Sequence, residues 1–199
     1  MIRTILISAL CLLAVGAQAQ KFKLEEGAFK GLRKEKEILL EFRYDSLMVK
    51  KKLTEKEYID EKRAAYNEKE AGRGDRWAKE WFEDRQKRFE PEFEKMFNNN
   101  EMFHASVKHD TARFKLVIHT VMIDPGYYQQ VVRQPAFIDV YATLYDKRKP
   151  GKTIAKLHVW DVTGVSFGGA DFDTGIRITE AYAKLGKELG EWIVKKGLN

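Results

Sequence analysis

The spacing of apolar residues changes along this chain, and that change limits the folds the chain can adopt. Apolar and polar residues alternate between residues 37 and 49 and again in two later segments, which is the period of a strand with one buried face. Residues 114–123 are more continuously apolar, which indicates a strand buried on both faces for part of its length. Between residues 178 and 192 the apolar residues recur every three or four positions, as they do in an amphipathic helix. The sequence therefore predicts a fold that contains both strands and helices.

The order of these segments predicts an α+β fold. One strand comes first, two helices follow, and three strands near residues 114–123, 138–144 and 155–159 precede the last helix. Pro150-Gly151 has turn chemistry, so the last two strands should form an antiparallel hairpin. We expect a largely antiparallel sheet of about four strands with the helices on one face, in the order β-α-α-β-β-β-α.

Several residues mark where the helices should begin and end. Thr54 and Glu57 have the spacing of a capping box, which predicts that a helix begins at Glu55. Pro91 should break or kink the second helix, because proline removes one backbone hydrogen bond. Either Asp171 or Asp173 can cap the last helix.

The last helix should be part of the core. Its apolar stripe needs a sheet to cover it and consists of Ile178, Tyr182, Leu185, Leu189 and Trp192. Gly186 and Gly190 are four positions apart, and we expect them to let the helix approach the sheet closely.

The N-terminus has the composition of a secretory signal. Arg3 precedes an apolar run over residues 4–15, and Ala17-Gln18-Ala19 fits a processing site, so cleavage is expected before Gln20. Residues 1–19 are thus predicted to be a signal peptide and residues 20–199 a single domain that is periplasmic or secreted. The apolar run is too short to span a membrane, so the protein is not expected to be an integral membrane protein.

Cysteine content and charge restrict the chemistry of the mature chain. The single cysteine, Cys11, lies in the predicted signal, so disulfides and thiolate catalysis are excluded after cleavage. The formal net charge is +6, from 36 Lys and Arg against 30 Asp and Glu, with opposite charges interleaved. An exported basic protein is expected to meet an envelope protein or an anionic glycan or lipid surface, and no nucleic acid.

The segment before the predicted sheet is rich in aromatic and basic residues. Trp77, Trp81, Arg85 and Arg88 recur at helical intervals. Such a stripe is usually core, but exposed aromatics with arginine are common binding anchors, so these four residues are candidate binding residues. Both interpretations stay open at this stage.

No motif indicates catalysis, a metal site or a cofactor. The loop Thr163–Asp171 contains three glycines but matches neither standard phosphate-binding pattern. The four histidines lack a recognised ligand spacing, although His104 and His109 could come together. Ser46 and Thr111 lie in Asp-Ser/Thr-apolar triplets, which resemble an acceptor for O-glycosylation of exported bacterial proteins.

One longer resemblance extends over the last third to half of the chain. From Tyr128 onward, the stretch VVRQPAFIDVYATLYDKRKPGKTIAKLHVWDVTG, the glycine loop and the long helix resemble an uncharacterised family of bacterial envelope proteins. That family is similar to the amino-terminal α/β domain of periplasmic TolB. The resemblance implies a fold and no active site. We therefore hypothesise an exported, envelope-associated binding or assembly module without enzymatic activity; the alternative is a small secreted hydrolase.

Overall fold

The computed structural model describes residues 21–129, 132–164 and 173–198. It contains helices and strands, so the α+β class is confirmed. The predicted signal and most of the glycine-containing loop lie outside the described residues. The strands are β1 (Lys21–Gly27), β2 (Glu37–Arg43), β3 (Met48–Val49), β4 (Leu53–Thr54), β5 (His104–Ser106), β6 (Phe114–Asp124), β7 (Tyr127–Gln129), β8 (Val132–Gln134), β9 (Ala136–Asp146) and β10 (Thr153–Gly164). The helices are α1 (Glu55–Lys69), α2 (Arg73–Asp84), α3 (Glu90–Phe97) and α4 (Thr174–Trp192).

The main sheet is mixed and has eight strands. Its order is β1-β10-β9-β6-β2-β5, with β3 beside β6 and β4 beside β3, while β7 and β8 form a separate hairpin. The neighbouring strands β1, β10, β9 and β6 pair antiparallel, whereas β2 is parallel to both β6 and β5. The prediction of about four largely antiparallel strands is therefore wrong in strand number and partly in direction. Three helices separate β2 from β6, and such a long crossover permits parallel pairing.

The three long strands β6, β9 and β10 match strands that the sequence predicts. In β9 the buried positions include Ile138, Val140, Ala142 and Leu144, and β10 pairs with it as the expected antiparallel hairpin. Strands β1, β3, β4 and β5 were not predicted. Strands β3, β4 and β5 are only two or three residues long, and β1 is almost entirely exposed. Short or exposed strands carry too few buried residues to show a period.

A single apolar cluster joins the helices to one face of the sheet. It includes Ile38 of β2, Leu116 of β6 and Leu157 of β10, together with residues of all four helices. Within α4, Ile178, Tyr182, Leu185 and Leu189 are completely buried, so the predicted core role of this helix is confirmed. The helices thus lie on one face, as expected.

The helix boundaries follow the predicted caps. Thr54 accepts a hydrogen bond from the Glu57 backbone amide while the Glu57 carboxylate accepts from the Thr54 amide, which confirms the capping box. Asp173 caps α4 by accepting from the amides of Gly175 and Ile176.

Pro91 does not separate α2 from α3. The backbone stays helical between them and widens into one π turn over Arg85–Phe89. Proline has no amide hydrogen to donate to the carbonyl four residues earlier, and a π turn just before it accommodates that missing bond. The predicted break is therefore replaced by a local widening of one long helix.

The glycine pair of α4 faces another helix instead of the sheet. A β-carbon added to Gly186 would lie 2.4 Å from the carbonyl oxygen of Phe93, and one at Gly190 would lie 2.9 Å from that of Phe97. Both contacts belong to α3, so our expectation of close approach to the sheet is wrong. The small residues instead let α3 and α4 pack with their backbones in close contact.

Strand β5 lies at one edge of the sheet, and a side chain closes that edge. The Asn98 amide donates to the Ala105 carbonyl and accepts from the Ala105 amide, both at 2.7 Å. The next outward amide, that of Val107, donates to the Glu94 carboxylate at 3.3 Å. Side chains from the end of α3 thus take the hydrogen bonds that an added strand would make.

Candidate functional site

Trp77 and Trp81, two of the predicted binding residues, pack inside the helix layer. Trp81 is 7% exposed, and its ring contacts those of Tyr58 and Trp77. Its indole Nε1 donates to Glu55 Oε1 at 2.6 Å. Trp77 is half-buried and also contacts the ring of Tyr66. These contacts stabilise the packing of α1 against α2.

The predicted arginines are held by carboxylates of the same chain. Arg85 pairs with Glu55, and its guanidinium lies 4.2 Å from the centre of the Tyr44 ring. Arg88 pairs with Asp84 at 3.0 Å and with Asp173 at 2.9 Å, and the hydrogen bond to Asp173 raises the pKa of Arg88. A binding role for Trp77, Trp81, Arg85 and Arg88 stays a prediction.

A small cavity of about 190 Å³ lies beside this segment, and its charge is negative. Trp77 and Trp81 form one wall, and the carboxylates of Glu80, Asp84 and Asp173 line it. Burial, opposed by the charge of Arg88 and reinforced by the charge of Asp173, raises the pKa of Asp84. Three carboxylates disfavour an anionic ligand at this position.

The predicted modification residues are accessible, and the histidines form no metal cluster. Ser46 and Thr111 are exposed and lie in turns, so their O-glycosylation stays a prediction. His104 and His109 do come together, with Nδ1 of the first 2.9 Å from Nε2 of the second. In the described part of the chain, however, no group of three or more His, Cys, Asp or Glu side chains could hold a metal ion.

The face of the sheet opposite the helices has a different composition. Its residues alternate with the core residues of β9 and β10 and are mostly half-buried. None of its aromatic rings belongs to the apolar cluster that joins helices and sheet. We call it the open face; its aromatic and basic residues include Arg43, Lys115, His119, Tyr141, Tyr145, Lys156, His158 and Trp160.

Three aromatic side chains form a stacked ladder in the open face. Tyr141 and His158 are cross-strand partners, with ring centres 4.4 Å apart and an interplanar angle of 18°. His158 in turn stacks on Trp160 at 4.8 Å and 27°. The Lys156 ammonium lies 4.2 Å from the centre of the Tyr141 ring, so the ladder ends in a cation–π contact.

The ladder leaves hydrogen-bonding atoms unused at its edges. Side chains stand roughly perpendicular to a sheet, so stacked rings turn their edges outward. Among the described residues, no protein group hydrogen-bonds to the Tyr141 hydroxyl, the His158 imidazole or the Trp160 indole. The open face therefore presents rigid apolar rings whose outer rim carries free donors and acceptors.

A basic cleft adjoins the ladder at the hairpin end of the open face. Its volume is about 460 Å³, within the range of small-molecule sites. Tyr145 and Asp146 contribute to its wall, and four cations line it: Arg43, Lys115, Lys147 and Lys149.

A second concave region lies at the edge of the sheet formed by β5, between α3 and β5. This groove of about 730 Å³ is lined by Glu90, Glu94 and His104 among others. Burial raises the pKa of Glu90, although the Tyr44 hydroxyl donates to its carboxylate at 3.2 Å and Arg85 lies nearby. A carboxyl group that holds its proton to higher pH can act as a general acid.

We expect Glu90→Gln to stabilise the protein at neutral pH, because an amide can accept from Tyr44 without burying a charge. The pKa of Glu90 is higher in the folded state than in the unfolded state, so protonation of Glu90 stabilises the folded state. This contribution to the free energy of unfolding is fully present below the pKa of unfolded glutamate, about 4.3. It is lost as pH rises through the higher pKa of the folded state. Denaturant unfolding across pH 3 to 8 measures the difference. Glu101→Gln, at an exposed position, is the control, and identical pH profiles of the two variants would contradict the prediction.

Sequence reasoning missed the open face. Its aromatic residues occupy the positions that alternate with the core residues of β9 and β10, where charged or small polar residues are usual. Tyr141, Tyr145, His158 and Trp160 at such positions were a detectable signal. The ladder of Tyr141, His158 and Trp160 depends on a strand register that includes two irregularities, and alternation does not reveal these.

Comparison with known proteins gives few matches. No family model and no curated protein match the chain. Among solved structures, it is similar to a PelC dodecamer from Paraburkholderia phytofirmans, with 11% identity and a TM-score of 0.35, over 84% of this chain and 98% of the PelC chain. A point variant of that PelC gives 12% identity and a TM-score of 0.34, over 85% and 99% of the two chains. Likeness at this level supports no conclusion, and the resemblance to TolB stays a prediction.

Proposed function

We propose that the protein is an exported, envelope-associated binding module that takes a glycan on its open face. The observation that carries the proposal is the ladder of Tyr141, His158 and Trp160, with its outward rim of unused donors and acceptors. Sugars carry many hydroxyl groups on a partly apolar ring, so they need both kinds of contact. Rigid aromatic side chains provide those contacts at a low cost in conformational entropy.

The arrangement of the rings favours a glycan over single-stranded nucleic acid. Proteins bind single strands mainly by stacking successive bases on the faces of aromatic rings. In the ladder, the Tyr141 ring is already contacted by both Lys156 and His158, and His158 stacks with two rings. The ring edges of Tyr141 and His158, with their C–H groups and hydrogen-bonding atoms, and the Trp160 ring, which stacks on His158, are the contacts that stay available.

The composition of the N-terminus supports the location. A signal-like segment before Gln20 would deliver the mature chain to a compartment where surface polysaccharides are abundant. Every helix in the described ranges is too short or too polar to cross a bilayer.

We expect Tyr141→Ala and Trp160→Ala each to weaken glycan binding at least about tenfold, because central aromatic anchors often contribute 2 kcal/mol or more. Affinity electrophoresis in gels that contain neutral or acidic bacterial polysaccharides, and polygalacturonate, measures the dissociation constants. Both residues are half-buried, so thermal unfolding of each variant verifies that its fold persists.

The control is Phe82→Ala, which removes an aromatic side chain that is 47% exposed on α2. Glycan retardation should not change in this variant. Equal retardation of wild type, Tyr141→Ala and Trp160→Ala would reject the open face as the binding surface. Binding of an oligothymidine but of no polysaccharide would reject a glycan as the ligand.

A secreted hydrolase is the second candidate function, and one observation favours it. Glu90, with its raised pKa, lines the large groove beside α3 and could protonate a leaving group. New reducing ends in the wild-type glycan mixtures, absent with Glu90→Gln, would support hydrolysis. Glycan binding without cleavage supports the binding module.

A further inference from the structure

The basic cleft beside the ladder suggests which class of glycan the open face binds. We infer that the cleft binds an oxyanion, the carboxylate or phosphate of an acidic sugar, while the ladder contacts the rest of the chain. This inference rests on the proposed glycan binding. It goes beyond that proposal by specifying the charge of the ligand and the end of the open face that binds the charged group.

The wall of the cleft that β2 and β6 form has more cations than carboxylates. Lys115 Nζ lies 2.7 Å from one carboxylate oxygen of Glu41, and Arg43 Nε lies 2.5 Å from the other. Hydrogen bonds and charge from these two cations lower the pKa of Glu41 despite its partial burial. One negative charge is thus paired with two positive charges, so a net positive charge remains on this wall and can attract an anion.

The hairpin between β9 and β10 forms the opposite wall of the cleft. Asp146 is its only carboxylate among the residues that line the cleft, and Arg113 binds that group at 2.7 Å. The Lys147 ammonium donates to the backbone carbonyl of Asp110 and so keeps its charge. Lys149 is exposed, and no carboxylate within the described ranges pairs with it. Lys147 and Lys149 are therefore the cations best placed to bind an anion.

The cleft and the ladder belong to one continuous surface. Tyr145 borders the cleft and Tyr141 belongs to the ladder; both point to the same face because they are four residues apart on β9. At about 3.4 Å per residue, that separation is about 14 Å. The two regions can therefore contact one extended ligand, with its acidic group at the hairpin end.

The test compares two polymers that differ only in charge: polygalacturonate and the neutral galactan obtained by reducing its carboxyl groups. We expect the double variant Lys147→Gln/Lys149→Gln to lose about tenfold or more in affinity for polygalacturonate, since hydrogen bonds to charged groups are strong. Its affinity for the galactan should stay that of the wild type. Lys152→Gln, on the same hairpin but outside the cleft, is the matched control.

The outcomes separate this inference from the proposed function. If the wild type binds neither polymer, glycan binding itself fails. If it binds both polymers equally, or if the double variant behaves like Lys152→Gln, the ladder binds glycan and the cleft has no role. Displacement of polygalacturonate by inorganic phosphate supports an oxyanion site. Binding only to phosphatidylglycerol vesicles would instead assign the charge to a lipid headgroup and overturn the acidic sugar.

Discussion

Leu189→Ala should lower the free energy of unfolding by about 2 to 5 kcal/mol, the usual cost of removing a leucine from a core. Leu189 is completely buried in the apolar stripe of α4. Its neighbours are fixed by the backbone contact between α4 and α3 at Gly186 and Gly190, so the structure has little freedom to close the cavity. The denaturant midpoint, with an unchanged m-value, measures the loss.

Lys187→Ala is the control, because Lys187 is exposed on the same helix. Alanine favours helix, and substitutions at exposed positions usually change stability by less than about 0.5 kcal/mol. An unchanged midpoint for Leu189→Ala would mean that the stripe is exposed in solution. In that case α4 would be an interaction surface.

Trp81→Ala should cost about 3 to 5 kcal/mol, as large aromatic truncations in cores do. The substitution removes a ring that contacts Tyr58 and Trp77, and it leaves the Glu55 carboxylate without the indole donor. Trp81→Phe keeps most of the ring and loses only that donor, so it should be less destabilising. Thermal unfolding of the two variants separates packing from hydrogen bonding.

The same variants test the predicted binding residues of the helix layer. Arg85→Ala removes the cation that pairs with Glu55 and lies over Tyr44. If Trp81→Ala unfolds the protein while Arg85→Ala leaves polygalacturonate binding unchanged, Trp77, Trp81, Arg85 and Arg88 are structural. Loss of binding in a stably folded Arg85→Ala would instead place a ligand in this layer.

The predictable parts of the fold are those set by local sequence. The capping box at Thr54 and the stripe of α4 depend on residues three or four positions apart, and both are correct. The parallel pairing of β2 with β6 joins residues more than 70 positions apart, such as Leu40 and Leu116. No local pattern specifies such a partner, and this is why the parallel direction of β2 was not predicted.

The candidate sites show the same division between local and distant information. Helical spacing placed Trp77 and Trp81 on one stripe, but spacing alone does not distinguish a stripe that faces the core from one that faces solvent. The ladder needs His158 opposite Tyr141, which is a property of strand register. Register follows from the hairpin and its irregularities, so the ladder becomes visible only in three dimensions.

The contact between Asn98 and the backbone of Ala105 also affects how the protein can misassemble. While this amide occupies the outward groups of β5, another chain cannot extend the sheet at that edge. Asn98 follows the last residue of α3, so a local opening at Asn98 would remove the amide while Phe97 stays buried in the core. Partial opening of one helix end would then be sufficient to expose a strand that recruits other chains, so the aggregation rate would depend on this local equilibrium more than on global stability.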